Sequence, residues 1–218
     1  MEITWYGHFC FRMMERGMAS VVCDPFDHKI VGYDPLKLKA DIVTVSIDNE
    51  EHNFTSAVKG DPHLITGPGE FEIGGVFITG VQTNGHAKKS EGEDEPRNTL
   101  YVFDYNGLTV GHFGQIDRVP TQAEVEALGP VNIALIPVGD VTSLNAAKAA
   151  EVISLIEPNI VIPMHYATDG SQLKLDELNK FLKEMGISET EHVPLLKMTS
   201  ATSLPEETRV IVLDYQHS

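Results

Sequence analysis

Residues 43–53, VTVSIDNEEHN, run from a β-branched stretch into acids, amides and one histidine. Imidazole nitrogens and carboxylate oxygens bind divalent cations, and imidazole exchanges protons near neutral pH. Such a segment is a metal-ligand loop, a former metal-ligand loop, or an ordinary polar turn. Five of the nine histidines share its setting at the end of an apolar run. His8 follows residues 2–6, His52 closes the quoted loop, His86 follows 75–81, His112 lies at the end of 108–113, and His165 follows 159–164. Gly114-Gln115-Ile116-Asp117 and Gly139-Asp140 stand at two such ends as well. A single histidine in this position ordinarily makes a structural hydrogen bond. Five together point to a shared site, because open α/β sheets bind ligands at the carboxyl ends of their strands.

The elements that must position these groups change rhythm along the chain. Apolar or β-branched runs at 2–6, 9–14, 19–23, 41–46, 63–66, 70–73, 75–81, 98–105 and 108–113 read as strands broken by Gly, Pro, Asn or Asp. Asn106-Gly107 between two of them is a hairpin signal. Beyond residue 120, helical spacing appears at 121–128, 143–157 and 173–185, alternating with strands at 132–138, 159–164 and 208–214. Gly186 and Glu157-Pro158 supply two helix stops. The pattern predicts an α/β fold with mixed sheets in a single domain over 1–218. The polar stretch 84–97 is too long for a hairpin turn, and its acidic tract Glu91–Glu95 reads as a solvated loop or a lid.

The 218 residues, 42% hydrophobic and 22% charged, are a globular composition with enough chain for a full core. The net charge of −16, from 32 acids against 16 bases, repels phosphate backbones and anionic lipid, so nucleic-acid and membrane partners are not expected. No apolar run approaches the ~20 residues that span a bilayer. MEITWYGHFCF lacks the pattern of a signal peptide. Cys10 and Cys23 sit in apolar runs and read as buried free thiols, which agrees with a cytoplasmic location. Neither adjoins a candidate base, and Ser46 and Ser143 have no triad context. Asp24 before Pro25 reads as a turn former. Gly67-Pro68-Gly69-Glu70 lacks the lysine of a phosphate loop and reads as a tight turn.

Several segments in order resemble the metallo-β-lactamase-fold hydrolases: WYGHFCF at the start, DPF at 24–26, GPGEFEIGGVFITGV at 67–81, RNTLYVF at 97–103, HFG at 112–114, IPVG at 136–139, IPMHY at 162–166 and LPEETRVIVL at 204–213. The resemblance is to the small bacterial and archaeal branch that includes ascorbate-6-phosphate lactonases. It implies a four-layer αββα sandwich with the site along one sheet edge, and it puts Asp24 near that site. The family signature is a His-x-His-x-Asp-His loop, a later His, a bridging Asp and a final His. On that pattern Ile47 and Asn49 stand where the first metal's histidines belong, Glu51 replaces the Asp, and His52 is kept. Gln115 replaces the bridging Asp, His165 matches the final ligand, and His86 matches the later His.

Ile47 has no donor atom, Asn49 binds through a weak carbonyl, and neutral Gln115 cannot bridge two cations. A dinuclear site is therefore not expected. Glu51, His52 and His165 remain as two imidazoles and a carboxylate, enough for at most one divalent ion, zinc or manganese, with a position open for water. The metal-free pocket is the favoured state. Two functions follow. One is a metal-dependent hydrolase of a small ester, lactone or phosphorylated molecule. The other is a non-catalytic relative kept as a binding module or oligomer subunit, and a homo-oligomer fits either. A metal-free enzyme would use His8, His112 or Glu51 as general base. Tyr166 beside His165 is placed to donate to a substrate oxyanion on the same resemblance.

Overall fold

Period-two alternation builds the first hairpin of the computed structural model, which describes residues 1–84, 97–198 and 203–217. In β1 (Glu2–Trp5) Ile3 and Trp5 are buried while Glu2 and Thr4 are half-buried. In β2 (Phe11–Met14) Phe11 and Met13 point the same way, and the two strands pair antiparallel. Then follow β3 (Val21–Cys23), α1 (His28–Val31), β4 (Leu38–Lys39), β5 (Ile42–Thr44), β6 (Val58–Lys59), β7 (His63–Ile65), β8 (Gly69–Ile73), β9 (Val76–Asn84), β10 (Arg97–Tyr105) and β11 (Leu108–His112). The second half contains α2 (Gln122–Leu128), β12 (Ile133–Pro137), α3 (Ala146–Ile156), β13 (Ile160–Met164), α4 (Leu178–Glu184), β14 (Glu191–Val193), β15 (Leu196–Lys197) and β16 (Arg209–Leu213).

Two mixed sheets result, with strand orders β15-β1-β2-β3-β5-β7 and β14-β16-β13-β12-β11-β10-β9-β8. They share one apolar layer: Ile3, Trp5, Phe11, Val21 and Ile42 of the first sheet join Tyr101, Phe103, Val110, Ile133 and Ile162 of the second in a single cluster. Burial of each such side chain contributes about 1.5–3 kcal/mol. Strands β11, β12, β13 and β16 are parallel neighbours, and β12 and β13 are buried at every position. That is the mark of a sheet covered on both faces. Ala149, Val152, Ile153 and Phe181 from α3 and α4 belong to the same cluster. The outer face of the first sheet carries Cys10, Val22, Val43 and Val45. Its cover is Phe26, Val31, Tyr33, Leu36, Leu38 and Val58, so this fourth layer is one-turn α1 with the small β4–β6 ladder. The architecture is α/β with mixed sheets, as the pattern predicts, in the four-layer sandwich that the resemblance implies. Cys10 and Cys23 are buried and free.

Local chemistry sets the boundaries. Asn106 and Gly107, at φ 56° and 86°, make the tight turn between β10 and β11, with Tyr105 opposite Leu108. The Asn145 side chain accepts from the Lys148 amide and starts α3 later than the 143–157 periodicity predicts, which leaves Ser143 outside the helix. Only 178–184 of the predicted 173–185 helix is α-helical. Gly186, at φ 68°, follows its C-cap. Strands β4, β6, β14 and β15 have two or three residues each, too short for a period to show, and their pairing makes them strands. No helix among the described residues is long and apolar enough to cross a membrane. His86 and the acidic tract 91–95 lie outside the described residues.

Helix α2 opens with a reciprocal capping box, Thr121 to the Glu124 amide and Glu124 back to the Thr121 amide. Arg118 grips the same Glu124 carboxylate through two nitrogens, at 2.6 and 2.8 Å. Those Arg118 hydrogen bonds hold the Glu124 carboxyl below its usual range. Stability from a lowered carboxyl is present above its ordinary pKa and is lost as pH falls through the folded value. Glu124→Gln is expected to lower stability by about 1 kcal/mol at neutral pH. It should lose that difference in acid, as urea unfolding at pH 7 and pH 3.5 would show.

Candidate metal centre

The carboxyl ends of β3, β5, β11, β12 and β13 and the β1–β2 turn meet at one place, and the backbone there is strained. Eight non-glycine residues among those described have positive φ. Five of them belong here: His8 (53°), Asp24 (43°), Asp140 (63°), Val141 (66°) and His165 (51°). β-Branched Val141 is the costliest of these, and such strain gathers at functional sites. Two glycines permit the close approach. A Cβ on Gly7 would stand 2.5 Å from the Tyr33 ring, and one on Gly139 would stand 2.0 Å from the His165 carbonyl oxygen.

Asp24 organises one side. Its Oδ2 accepts from His52 Nδ1 at 2.9 Å and from Ser46 Oγ at 2.5 Å, while Oδ1 accepts from the Ser46 amide at 2.7 Å. Burial would raise this carboxyl, yet His52 first, then His112 and Ser46, more than offset it and hold the group below its usual range. An ionised carboxylate only accepts, so Nδ1 of His52 carries the hydrogen, and in a neutral ring Nε2 is then the nitrogen with the lone pair. That Nε2 is buried without a hydrogen-bond partner.

His8 supplies the second imidazole. Both its ring nitrogens are buried without a hydrogen-bond partner, and Nε2 stands 3.6 Å from Glu51 Oε2. One ligand atom each from His8, Glu51 and His52 lies within 4.8 Å of the others. This is the group of metal-capable side chains that the fold assembles among the described residues. Glu51 forms its half-exposed rim. An unpaired buried imidazole is an expensive feature in a folded chain, and a bound cation or a buried water satisfies it.

His165 stands next to this group without joining it. Its Nδ1 is 2.9 Å from Ser143 Oγ, and its ring lies flat on Phe9, centroids 4.4 Å apart. His112 Nε2 donates to the Phe9 carbonyl at 2.9 Å, so this histidine fixes the β1–β2 turn from below the pocket. Burial lowers His8, His112 and His165 below the usual histidine value, His165 to about 3. Tyr166 packs on Trp5, centroids 5.2 Å apart, and lines a separate cavity of about 310 Å³.

Two of the three positions that depart from the resemblance are bonded to each other. Asn49 Nδ2 donates to Gln115 Oε1 at 3.2 Å, and Asn49 Oδ1 accepts from the Glu51 amide at 3.0 Å. The two amides thus close on each other. Ile47 lines an adjoining cavity of about 300 Å³ with Asp48, Thr66, Gln82 and Arg97. Sequence reasoning missed three connections here: Asp24 as acceptor for the site rather than a turn former, Ser143 as partner of His165, and Phe9 as a neighbour of three histidines. The DPF motif and the resemblance hinted at Asp24. Nothing local in the sequence signals the other two.

With this geometry in hand, likeness to known proteins is informative. Residues 2–165 match the β-lactamase superfamily domain, and the chain belongs to the metallo-β-lactamase superfamily. A protein named as a metal-dependent hydrolase from Thermoplasma acidophilum is 25% identical over 192 residues, covering 77% of this chain and 84% of its own. A Pyrococcus furiosus protein is 26% identical over 212 residues, covering 86% and 93%. A solved structure from Thermotoga maritima, a member of the metallo-β-lactamase superfamily, aligns with a TM-score of 0.78, 33% identity and 97% of each chain.

Three neutral buried histidines carry a consequence for pH. A histidine lowered by folding is fully accommodated above its unfolded value near 6.5, and stability falls as pH drops from there toward the folded value. For His165 that window runs from about 6.5 down to about 3. The metal-free protein is expected to lose stability across it, by up to about 1.4 kcal/mol per pH unit for each histidine. His165→Gln should reduce the slope by about one proton, as chemical denaturation at stepped pH measures.

Proposed function

We propose that this chain is a metal-dependent hydrolase that holds one divalent cation, zinc or manganese, on His8, Glu51 and His52. The observation that carries the reading is the pair of histidines: three buried imidazole nitrogens without hydrogen-bond partners, beside a carboxylate, with His52 oriented by Asp24. The donor set suits such an ion, since two imidazoles and a carboxylate leave a coordination position open. Support also comes from relatives named as metal-dependent hydrolases and from the Thermotoga maritima neighbour, described as a candidate Zn-dependent hydrolase.

Two ions do not fit. Ile47 offers no donor, the Asn49 carbonyl oxygen accepts from the Glu51 backbone, and the Gln115 carbonyl oxygen accepts from Asn49. In this reading the cation supplies Lewis acidity and acidifies water. The chain does the rest. Asp24 holds His52 in the tautomer that presents Nε2, Phe9 packs an apolar ring beneath the three imidazoles, and Glu51 brings the charged ligand in at the half-exposed rim. We assign the substrate to small esters, lactones or phosphorylated molecules, as the lactonase-containing branch suggests. The surplus of 16 acids over bases supports a small-molecule partner rather than nucleic acid, and a cytoplasmic setting accords with two free thiols. Assembly as a homo-oligomer is compatible with this.

A second reading, a metal-free binding or oligomer subunit, is favoured by one feature, the amide pair of Asn49 and Gln115. Elemental analysis after reconstitution with zinc or manganese separates the two. The hydrolase reading expects about one equivalent in the native chain and under about a tenth in His8→Ala and His52→Ala. It also expects hydrolysis of a chromogenic ester or phosphoester that those variants lose. Under about a tenth of an equivalent in the native chain would leave the metal-free reading standing.

A further inference from the structure

Phe9 is buried completely, with a histidine on three sides. Its ring centroid is 4.4 Å from that of His165, 4.5 Å from that of His52 and 4.6 Å from that of His8. His165 lies nearly parallel to it at 24°, His52 is tilted by 34°, and His8 meets it edge-on at 80°. Both imidazoles rest on the Phe9 ring, and His8 reaches both of them, at 5.3 Å from His52 and 5.0 Å from His165, while His52 and His165 make no ring contact with each other. Phe9 is thus a neighbour that the two share. A zinc ion shared by the two would need their nitrogens about 2.0–2.1 Å from itself, in the space beside the Phe9 ring that both imidazoles contact.

The ring is also held in place. His112 donates to the carbonyl of Phe9 and Trp5 Nε1 to the carbonyl of His8 at 3.1 Å, so the turn that carries Phe9 is pinned on both sides. His165 is meanwhile arranged like a ligand: Ser143 engages its Nδ1 and leaves Nε2 as its other donor atom. Yet it lies outside the cluster of His8, Glu51 and His52.

Building on the one-ion reading, we propose that Phe9 determines the specificity of the centre by crowding the position a cation would take between His52 and His165. It limits the protein to three ligands and holds His165 in reserve. Removing the ring lets His165 enter the ligand set. Reserve, in this sense, means an oriented imidazole whose access is closed by an apolar side chain and not by a missing donor.

Titration with Co²⁺, followed by calorimetry and by the visible d–d absorbance that reports coordination number, tests this on the wild type, Phe9→Ala, His165→Ala and the double variant. Phe9→Ala is expected to bind Co²⁺ about 10-fold or more tightly than wild type, with stronger absorbance as a fourth protein ligand arrives. His165→Ala alone should leave wild-type affinity unchanged and should abolish the gain in the double variant. Loss of a buried ring can cost about 3–5 kcal/mol, so Phe9→Val, a milder truncation expected to shift affinity the same way, serves if the alanine variant does not fold. No gain in either folded variant, or weaker binding in His165→Ala alone, overturns the proposal while leaving the one-ion reading intact. Binding that appears only when Phe9 is truncated, and depends on His165, upholds the role of Phe9 and overturns that reading.

Discussion

A buried carboxylate with three donors around it is the constraint on which this site rests. Asp24 is 1% exposed, and a lone ion at that depth would be untenable. It is stabilised by His52, by the Ser46 hydroxyl and by the Ser46 amide, residues that lie on the loop leaving β5. The interaction therefore ties the end of β3 to the loop after β5, closes the entrance to the core, and sets which nitrogen of His52 faces the pocket. Replacing one partner alone would strand the others without a buried acceptor or donor, which is why the arrangement behaves as a unit. The strained conformation at Asp24 is maintained by the same contacts.

From that anchor the chemistry divides into an open side and a closed side. On the open side His52 and His8 present nitrogens with no hydrogen-bond partner, and Glu51 rims them. On the closed side, polar side chains bond to one another and to the backbone. The Asn49 side chain donates to that of Gln115, and Asn98 Oδ1 accepts from the Gln115 backbone N–H at 2.9 Å. A hydrogen-bonded amide pair cross-links the loops after β5 and β11 without needing an ion. Those hydrogen bonds hold the two loops together at the sheet edge.

Much of the fold was legible from sequence because its main signals are local. Alternation in residues 2–5 and 11–14, the Asn106-Gly107 turn, and the apolar parallel strands at 133–137 and 160–164 each declare themselves within a few residues. The strand-end residues His8, His52, His112 and His165 do lie near one another in the fold. What stayed hidden depends on distant partners. Asp24 and His52 are 28 residues apart, and His112 reaches Phe9 across 103. Short strands β14 and β15 exist through the sheet edges they join. Phe9 reads as one more apolar residue in a strand-like run, and only its three histidine neighbours give it a part in the site. His8, singled out as a candidate base, is assembled with Glu51 and His52 by a turn whose geometry depends on Gly7 and Tyr33.

The most direct measurement is anomalous diffraction at the zinc edge from crystals of the unaltered chain equilibrated with zinc. The account predicts one peak, with Nε2 of His52, a nitrogen of His8 and an oxygen of Glu51 each about 2.0–2.2 Å away, and Phe9 still packed on His165. Two neighbouring peaks bridged near Asn49 and Gln115, or a single peak shared by His52 and His165 with the Phe9 ring displaced, would contradict it.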